Sequence, residues 1–211
     1  RVIQLTANGD SEYKGWNLIA NSWMAPLQID KMKTSDFGAG ADAALYIYNT
    51  GSYADWEAHK GVYKDQQYAP AGQYTTVPVG AVKILNEAGN ADLPSTIAPM
   101  QAFFVLTTAN TVLQLNHDNL LFNENYTQTT SPMRAPRRAK VQNEDVNVLR
   151  IDVKGEYAAD KMWIMQADSF SLAYDNGYDG KKILGDAFVP QLAVATDGGE
   201  MAIAALPQYE G

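Results

Sequence analysis

The chain has 211 residues, of which 46% are hydrophobic and 19% charged, and its formal net charge is −8. This composition is typical of a globular protein with one domain or two small ones. The acidic balance argues against a nucleic-acid partner, and the lack of cysteine excludes disulfides and thiolate sites. No apolar run is long enough to form a transmembrane segment.

The chain begins with Arg1 instead of Met and enters a strand-like run at residues 2–6 without a signal peptide. We interpret the sequence as a fragment or as a processed mature form. The missing signal is therefore not evidence for a cytoplasmic protein.

Residues 15–30, GWNLIANSWMAPLQID, start like a strand and end like a helical turn. Trp16, Leu18 and Ala20 alternate with Asn17, Ile19 and Asn21 and are predicted to share one sheet surface. Trp23 and Met24 are expected to cap the core where this strand ends. A proline at position 26 cannot donate to a ladder, so it predicts the end of the strand and a helical turn over 26–32.

Further strand signals follow along the chain. Residues 44–48 are rich in aromatic and branched side chains and end at an Asn-Thr-Gly turn. The runs 102–107 and 111–115 are separated by only three residues, which predicts a hairpin. Residues 149–153 alternate apolar and charged side chains, as expected of a strand with one solvated face.

Strands are also predicted at 161–166 and 201–205, whereas helical periodicity is confined to 26–32 and 55–59. Many short strands separated by turn residues indicate an all-β protein. We predict an antiparallel β-sandwich or jelly-roll-like fold with few short helical turns.

One segment breaks the acidic composition. Residues 126–142, YTQTTSPMRAPRRAKVQ, contain no acid and carry Arg134, Arg137 and Arg138. Such a run is usually a solvated linker or long loop, and exposed arginines there would also make it sensitive to proteolytic processing. A basic docking patch is a third possibility. The break predicts a β-sandwich unit at 1–127, a linker or long loop at 128–143, and a second β unit at 144–211.

Four stretches, in order, resemble a region of large extracellular proteins of Bacteroidetes, many exported by the type IX secretion system. GWNLIANSWMAPLQID is similar to the GWNLIGNPYPSPLDW type of segment, and ALYIYNTGSYADW to a YVYN…GxY strand pair. IAPMQAFFVLTT is similar to IPPGQAFFVKA. SLAYDNGYDGKKILGD followed by MAIAALP resembles GFDNGYDAYKLFG…LAINALP. The two family residues Pro and Tyr of NPYP are replaced here by Ser22 and Trp23.

The resemblance implies an extracellular or outer-membrane surface location and an all-β region without catalysis. Relatives usually continue with further strands after the ALP stretch. The resemblance therefore implies either that the second β unit is truncated at its C-terminal end or that a partner segment supplies those strands.

The sequence DNGYDG at 175–180 is the strongest candidate for a metal site. Asp175, Asp179 and Asp186 could supply oxygens to calcium on a glycine-containing loop, at a spacing that weakly echoes an EF-hand. Asp, Asn and Gly are also the residues that any tight turn selects. We favour the turn, predict no cofactor, and keep calcium as the alternative.

No catalytic constellation stands out. The two histidines, His59 and His117, lack the partners that a hydrolytic triad or a zinc helix needs, and no Gly-x-Ser-x-Gly elbow is present. Paired carboxylates would have to be recognised in three dimensions. We therefore predict that the chain is not an enzyme.

Aromatic side chains are the remaining candidates for ligand binding. Tyr53, Tyr63 and Tyr68 lie in loop-like positions and could stack on a sugar, although a β-sandwich also needs aromatics for its core. The sequence thus predicts a structural or adhesive surface module. The alternatives are a carbohydrate-binding module and an accessory domain of a larger secreted hydrolase or protease. Expected partners are a glycan, a host or cell-surface protein, and the rest of its own polypeptide.

Overall fold

The structure is a computed structural model that describes residues 1–9, 13–49, 73–87, 93–121, 146–155, 159–184 and 190–208. Within these ranges 47% of residues lie in strands or bridges and 11% in helical turns, which confirms the predicted all-β, sandwich-like fold. The strands in chain order are β1 (Val2–Leu5), β2 (Trp16–Ala20), β3 (Leu27–Gln28), β4 (Ala44–Asn49), β5 (Gln73–Pro78), β6 (Thr96–Ile97), β7 (Ala102–Leu106), β8 (Thr111–Gln114), β9 (Asn147–Lys154), β10 (Ala159–Gln166), β11 (Gly180–Lys181), β12 (Val194–Thr196) and β13 (Gly199–Leu206).

Two larger sheets organise the fold. The first has the strand order β2-β7-β4-β5 and is antiparallel throughout. The second has the order β11-β13-β10-β9, with β12 also on β13, and contains one parallel pair, β10 with β13. Strands before and after the basic segment do not mix within any described sheet. The division into units at 1–127 and 144–211 stays a prediction.

The predicted hairpin between 102–107 and 111–115 is wrong, although both strands exist. β7 pairs with β2 and β4, whereas β8 pairs with β1 from the start of the chain. The segment between β7 and β8 bonds instead to the loop before β4. The hydroxyls of Thr107 and Thr108 both donate to the carbonyl of Gly40 at 3.1 Å. Long-range pairing therefore overrides the short loop.

Short helical elements fill the connections. Single 3-10 turns lie at Ile29–Lys31, Thr34–Asp36 and His117–Asn119. The helical turn predicted over 26–32 is therefore right only for its second half, because Leu27 and Gln28 pair with β6 as strand β3. The α-helix α1 (Ala81–Glu87) was not predicted, and its Ala81, Val82 and Leu85 are buried. The predicted turn at 55–59 lies outside the described residues. Among the described helices, none is long and apolar enough to cross a membrane.

One cluster of buried side chains draws on both larger sheets. Ile19, Phe103 and Val105 from the first sheet belong to the same cluster as Trp163 and Met165 from the second. Trp23 packs against this cluster as predicted. The expectation for Met24 is wrong, since its side chain is 91% exposed at the tip of the turn after β2.

Candidate functional site

The loop at residues 175–180 joins the two larger sheets, and it is closed by its own carboxylates. Asp175 accepts hydrogen bonds from the backbone N–H and the hydroxyl of Ser171, at 2.7 and 3.0 Å. Asp179 accepts from the backbone N–H of Asp175 and from that of Ala205 in β13, both at 2.7 Å. All four carboxylate oxygens therefore have a donor, as in a tight turn.

The same contacts bear on the calcium hypothesis. Asp179 is 4% exposed, and burial raises the pKa of its carboxyl while the two N–H donors act in the opposite direction. No group of three or more acidic or histidine side chains within the described ranges is arranged to hold a metal ion. Asp186 lies outside those ranges, so calcium binding here stays a prediction.

Asn176 and Gly177 bind this loop by hydrogen bonds to the residues that flank β4 and β5 of the first sheet. The side-chain amide of Asn176 donates to the carbonyl of Ala41 at 3.0 Å and its oxygen accepts from the N–H of Ala43 at 2.6 Å. The carbonyl of Gly177 accepts from Gly80 at 2.8 Å and from Ala81 at 3.2 Å. Gly177 has φ +95°, a conformation that favours glycine. Residues more than 90 positions apart are thereby joined through backbone groups.

Beside loop 175–180 lies a partly buried polar cluster that the sequence did not predict. Lys181 Nζ is 3.0 Å from Oδ2 of Asp42, and the Tyr46 hydroxyl donates to the same oxygen at 3.4 Å. Lys181 also lies over the ring of Tyr174, 5.0 Å from its centroid. Burial is the main cause that raises the pKa of both tyrosines above 10, and the negative charge of Asp42 acts in the same direction. Both phenols therefore stay neutral at physiological pH.

A second ion pair, which is buried, attaches the segment after β11 to the second sheet. Lys182 Nζ lies 2.5 Å from Oδ2 of Asp160, and the side chains are 3% and 9% exposed. The same oxygen accepts from the N–H of Leu192 at 2.7 Å. Charged residues in sequence usually indicate a solvated face, so only the sheet arrangement could show that these two are buried together.

The first sheet carries an aromatic surface on the side away from the core residues Ile19 and Phe103. We call this surface the outer face. Strand register assigns it twelve positions, three on each strand: Trp16, Leu18, Ala20, Ala44, Tyr46, Tyr48, Tyr74, Thr76, Pro78, Ala102, Phe104 and Leu106. The prediction that Trp16, Leu18 and Ala20 share a surface is confirmed. Five of the twelve are aromatic.

The other candidates from the sequence are placed only in part. Tyr53, Tyr63 and Tyr68, the arginines Arg134, Arg137 and Arg138, and His59 all lie outside the described residues. His117 is in a 3-10 turn with its ring 6.0 Å from that of Trp23. The structure therefore does not join these residues into a site, and their roles stay predictions.

Comparison with known proteins gives one informative match. No protein-family model matches the chain, and no solved structure matches it significantly. The chain is similar to the minor fimbrium subunit Mfa5 of Porphyromonas gingivalis, at 30% identity over 210 residues. The match covers 98% of this chain and 16% of Mfa5, so the chain spans about a sixth of that relative. At this level the expected similarity to a Bacteroidetes surface protein is confirmed.

Proposed function

We infer that this chain is a non-catalytic structural or adhesive module of a larger protein at a bacterial cell surface. The observation that carries the proposal is the match over 98% of the chain to a fimbrium subunit. The hydrogen bonds of loop 175–180 support the proposal, because its polar side chains are bonded to the chain's own backbone. Such groups hold sheets together and leave little chemistry for a substrate.

Location is tested on intact cells of the organism that encodes the chain. Antibodies raised against the purified chain should label whole cells, and added protease should remove the epitope without lysis. Labelling only after permeabilisation would contradict the proposal. Deletion of the segment from its gene should weaken cell attachment or the surface assembly. A catalytic activity of the purified chain would also contradict it.

The resemblance to Bacteroidetes surface proteins extends the proposal to export. We propose that the parent protein leaves the cell by the type IX system and remains extracellular or on the outer membrane. Inactivation of that system should retain the epitope inside the cell. Surface labelling that persists in the export mutant would contradict this route while leaving the surface role intact.

A carbohydrate-binding module is the second candidate, because Tyr48 is 43% exposed on the outer face. The described rings do not form a flat platform, however. The planes of Tyr48 and Tyr74 differ by 57°, and those of Tyr74 and Phe104 by 67°. A glycan array probed with the chain would distinguish the two functions, with loss of any signal in Tyr48→Ala required for the glycan role.

An accessory role in a secreted hydrolase or protease is also compatible with a chain that matches only 16% of its relative. This role requires a catalytic domain elsewhere in the same polypeptide. Reading the complete gene tests it directly, since a parent protein without such a domain rules it out.

A further inference from the structure

The chain contains seven methionines and no cysteine. Exposed cysteine thiolates react readily with peroxides, and methionine thioethers undergo a similar two-electron oxidation to the sulfoxide. Because thiols are absent, the thioethers are the sulfur groups of this chain that a peroxide can oxidise. Solvent access to each sulfur then decides which of them react while the chain is folded.

Solvent exposure divides the described methionines into two groups. Met24 is 91% exposed and Met100 is 75% exposed. Three others are buried, with exposed fractions of 4%, 0% and 1%: Met32, Met165 and Met201. Met162 is half-buried, and Met133 lies outside the described residues. Within the described ranges, the fully accessible thioethers are thus those of Met24 and Met100.

The two exposed methionines lie in turns that are bonded to each other through Asn21 at the end of β2. The carbonyl of Asn21 accepts from the N–H of Met100 at 2.8 Å, and its side-chain nitrogen donates to the carbonyl of Ala25 at 3.0 Å. The N–H of Asn21 donates to the carbonyl of Gln101 at 2.9 Å. Both turns are therefore held at one corner of the first sheet, where the side chains of Met24 and Met100 are open to solvent.

The backbone at Met100 is strained in a way that its side chain does not repay by packing. Its φ is +65°, in the left-handed region that favours glycine. Since the side chain is 75% exposed, it contributes little to the core in return. A strained position that presents an exposed side chain points to a role for that side chain outside the fold.

We propose that Met24 and Met100 form an oxidant-reactive site, at which the chain consumes hydrogen peroxide without losing its fold. The sulfur lone pair attacks one oxygen of the peroxide, so that an S–O bond forms while the O–O bond breaks. The second oxygen leaves as water after it has taken up the proton of the transferred oxygen. Each sulfur is oxidised by two electrons to a sulfoxide, and the peroxide is reduced.

Oxidation of the buried methionines would have the opposite consequence. Met165 in β10 and Met201 in β13 are at most 1% exposed, so a sulfoxide oxygen there would be a buried polar group that needs a hydrogen-bond donor. Peroxide reaches these sulfurs only when the chain opens locally or unfolds. At Met24 and Met100 the added oxygen stays in water, and the packing of the core is unchanged.

Peptide mapping by mass spectrometry after exposure to hydrogen peroxide tests the proposal. Met24 and Met100 should each gain about 16 Da, at a rate at least about tenfold higher than that of the three buried methionines. Once both sites have reacted, the circular dichroism spectrum and the midpoint of urea unfolding should be the same as before. The double variant Met24→Leu/Met100→Leu should lose one equivalent of rapid peroxide consumption for each methionine replaced.

Met32→Leu is the matched control, because it removes a buried thioether and should keep the rapid consumption in full. The site-by-site rates in the unchanged chain carry the test if this control does not fold. Equal rates at exposed and buried methionines overturn the proposal, as does a double variant that consumes peroxide as rapidly as the unchanged chain. A lower unfolding midpoint after reaction of Met24 and Met100 alone also overturns it, since these side chains would then be part of the fold.

Discussion

Replacing Gly177 by alanine should be among the most destabilising single changes in the chain. Gly177 has φ +95°, and an added Cβ would lie 2.6 Å from the Thr34 hydroxyl oxygen. An L-residue in left-handed backbone costs about 1–2 kcal/mol. Relief of the clash would displace the carbonyl that accepts from Gly80 and Ala81, and each of those bonds contributes about 1 kcal/mol. We expect a loss of about 3–4 kcal/mol in the free energy of unfolding.

Gly199→Ala provides the matched control. Gly199 has φ +112°, and a Cβ added there meets nothing within 4 Å. It should therefore show the backbone cost alone, about 1–2 kcal/mol. The difference between the two variants isolates the docking of the loop on the first sheet.

A second comparison separates the clash from the backbone strain at Gly177 itself. Thr34 is exposed, so Thr34→Ala alone should change stability by less than about 0.5 kcal/mol. In that background the added Cβ has its nearest obstacle removed, and Gly177→Ala should cost about 1–2 kcal/mol less than in the unchanged chain. Urea unfolding followed by circular dichroism measures all four variants. Equal losses for Gly177→Ala and Gly199→Ala, or no coupling with Thr34→Ala, would refute the docking argument.

Three further results are expected. Asp160→Ala leaves the buried ammonium of Lys182 without its carboxylate, so it should lower the free energy of unfolding in urea by about 3–5 kcal/mol. Adding Lys182→Met should restore most of this loss. Met100→Gly should stabilise by about 0.5–1 kcal/mol in thermal unfolding, since Met100 has φ +65° and an exposed side chain; a loss would contradict this. Burial raises the pKa of Tyr46 and Tyr174 in the folded state, so as pH rises these phenols ionise first in the unfolded chain. The free energy of unfolding should therefore fall above about pH 10, and it should fall less steeply in Tyr46→Phe.

The alternation of side chains along the sequence predicted where many strands lie, but it did not predict which strands pair with each other. The strands predicted at 44–48 and 149–153 correspond to β4 and β9. Pairing depends on which surfaces meet across the whole chain, and the short loop before β8 suggested the wrong neighbour. The helix α1 was missed because seven residues give only two turns of periodicity, too few to separate from a buried strand.

The candidate site shows the same division between local and long-range information. Asp, Asn and Gly at 175–180 predicted a tight turn from their own chemistry, and the turn is there. Its attachment through Asn176 to Ala41 and Ala43 spans more than 130 positions, and nothing in the local sequence indicates it. Likewise, Lys182 and Asp160 become a buried pair only when β10 and the segment after β11 are adjacent.

The asparagines of the opening motif explain why the family resemblance bears on fold more than on ligand. Asn21 is fully buried, its amide nitrogen lies within 3.2 Å of the carbonyls of Ala25, Ile97 and Ala98, and its oxygen accepts from Trp23. Such a residue satisfies backbone groups of two turns at once, and an aspartate there could not donate to the carbonyls. A motif built from such positions specifies the corner between β2 and β7.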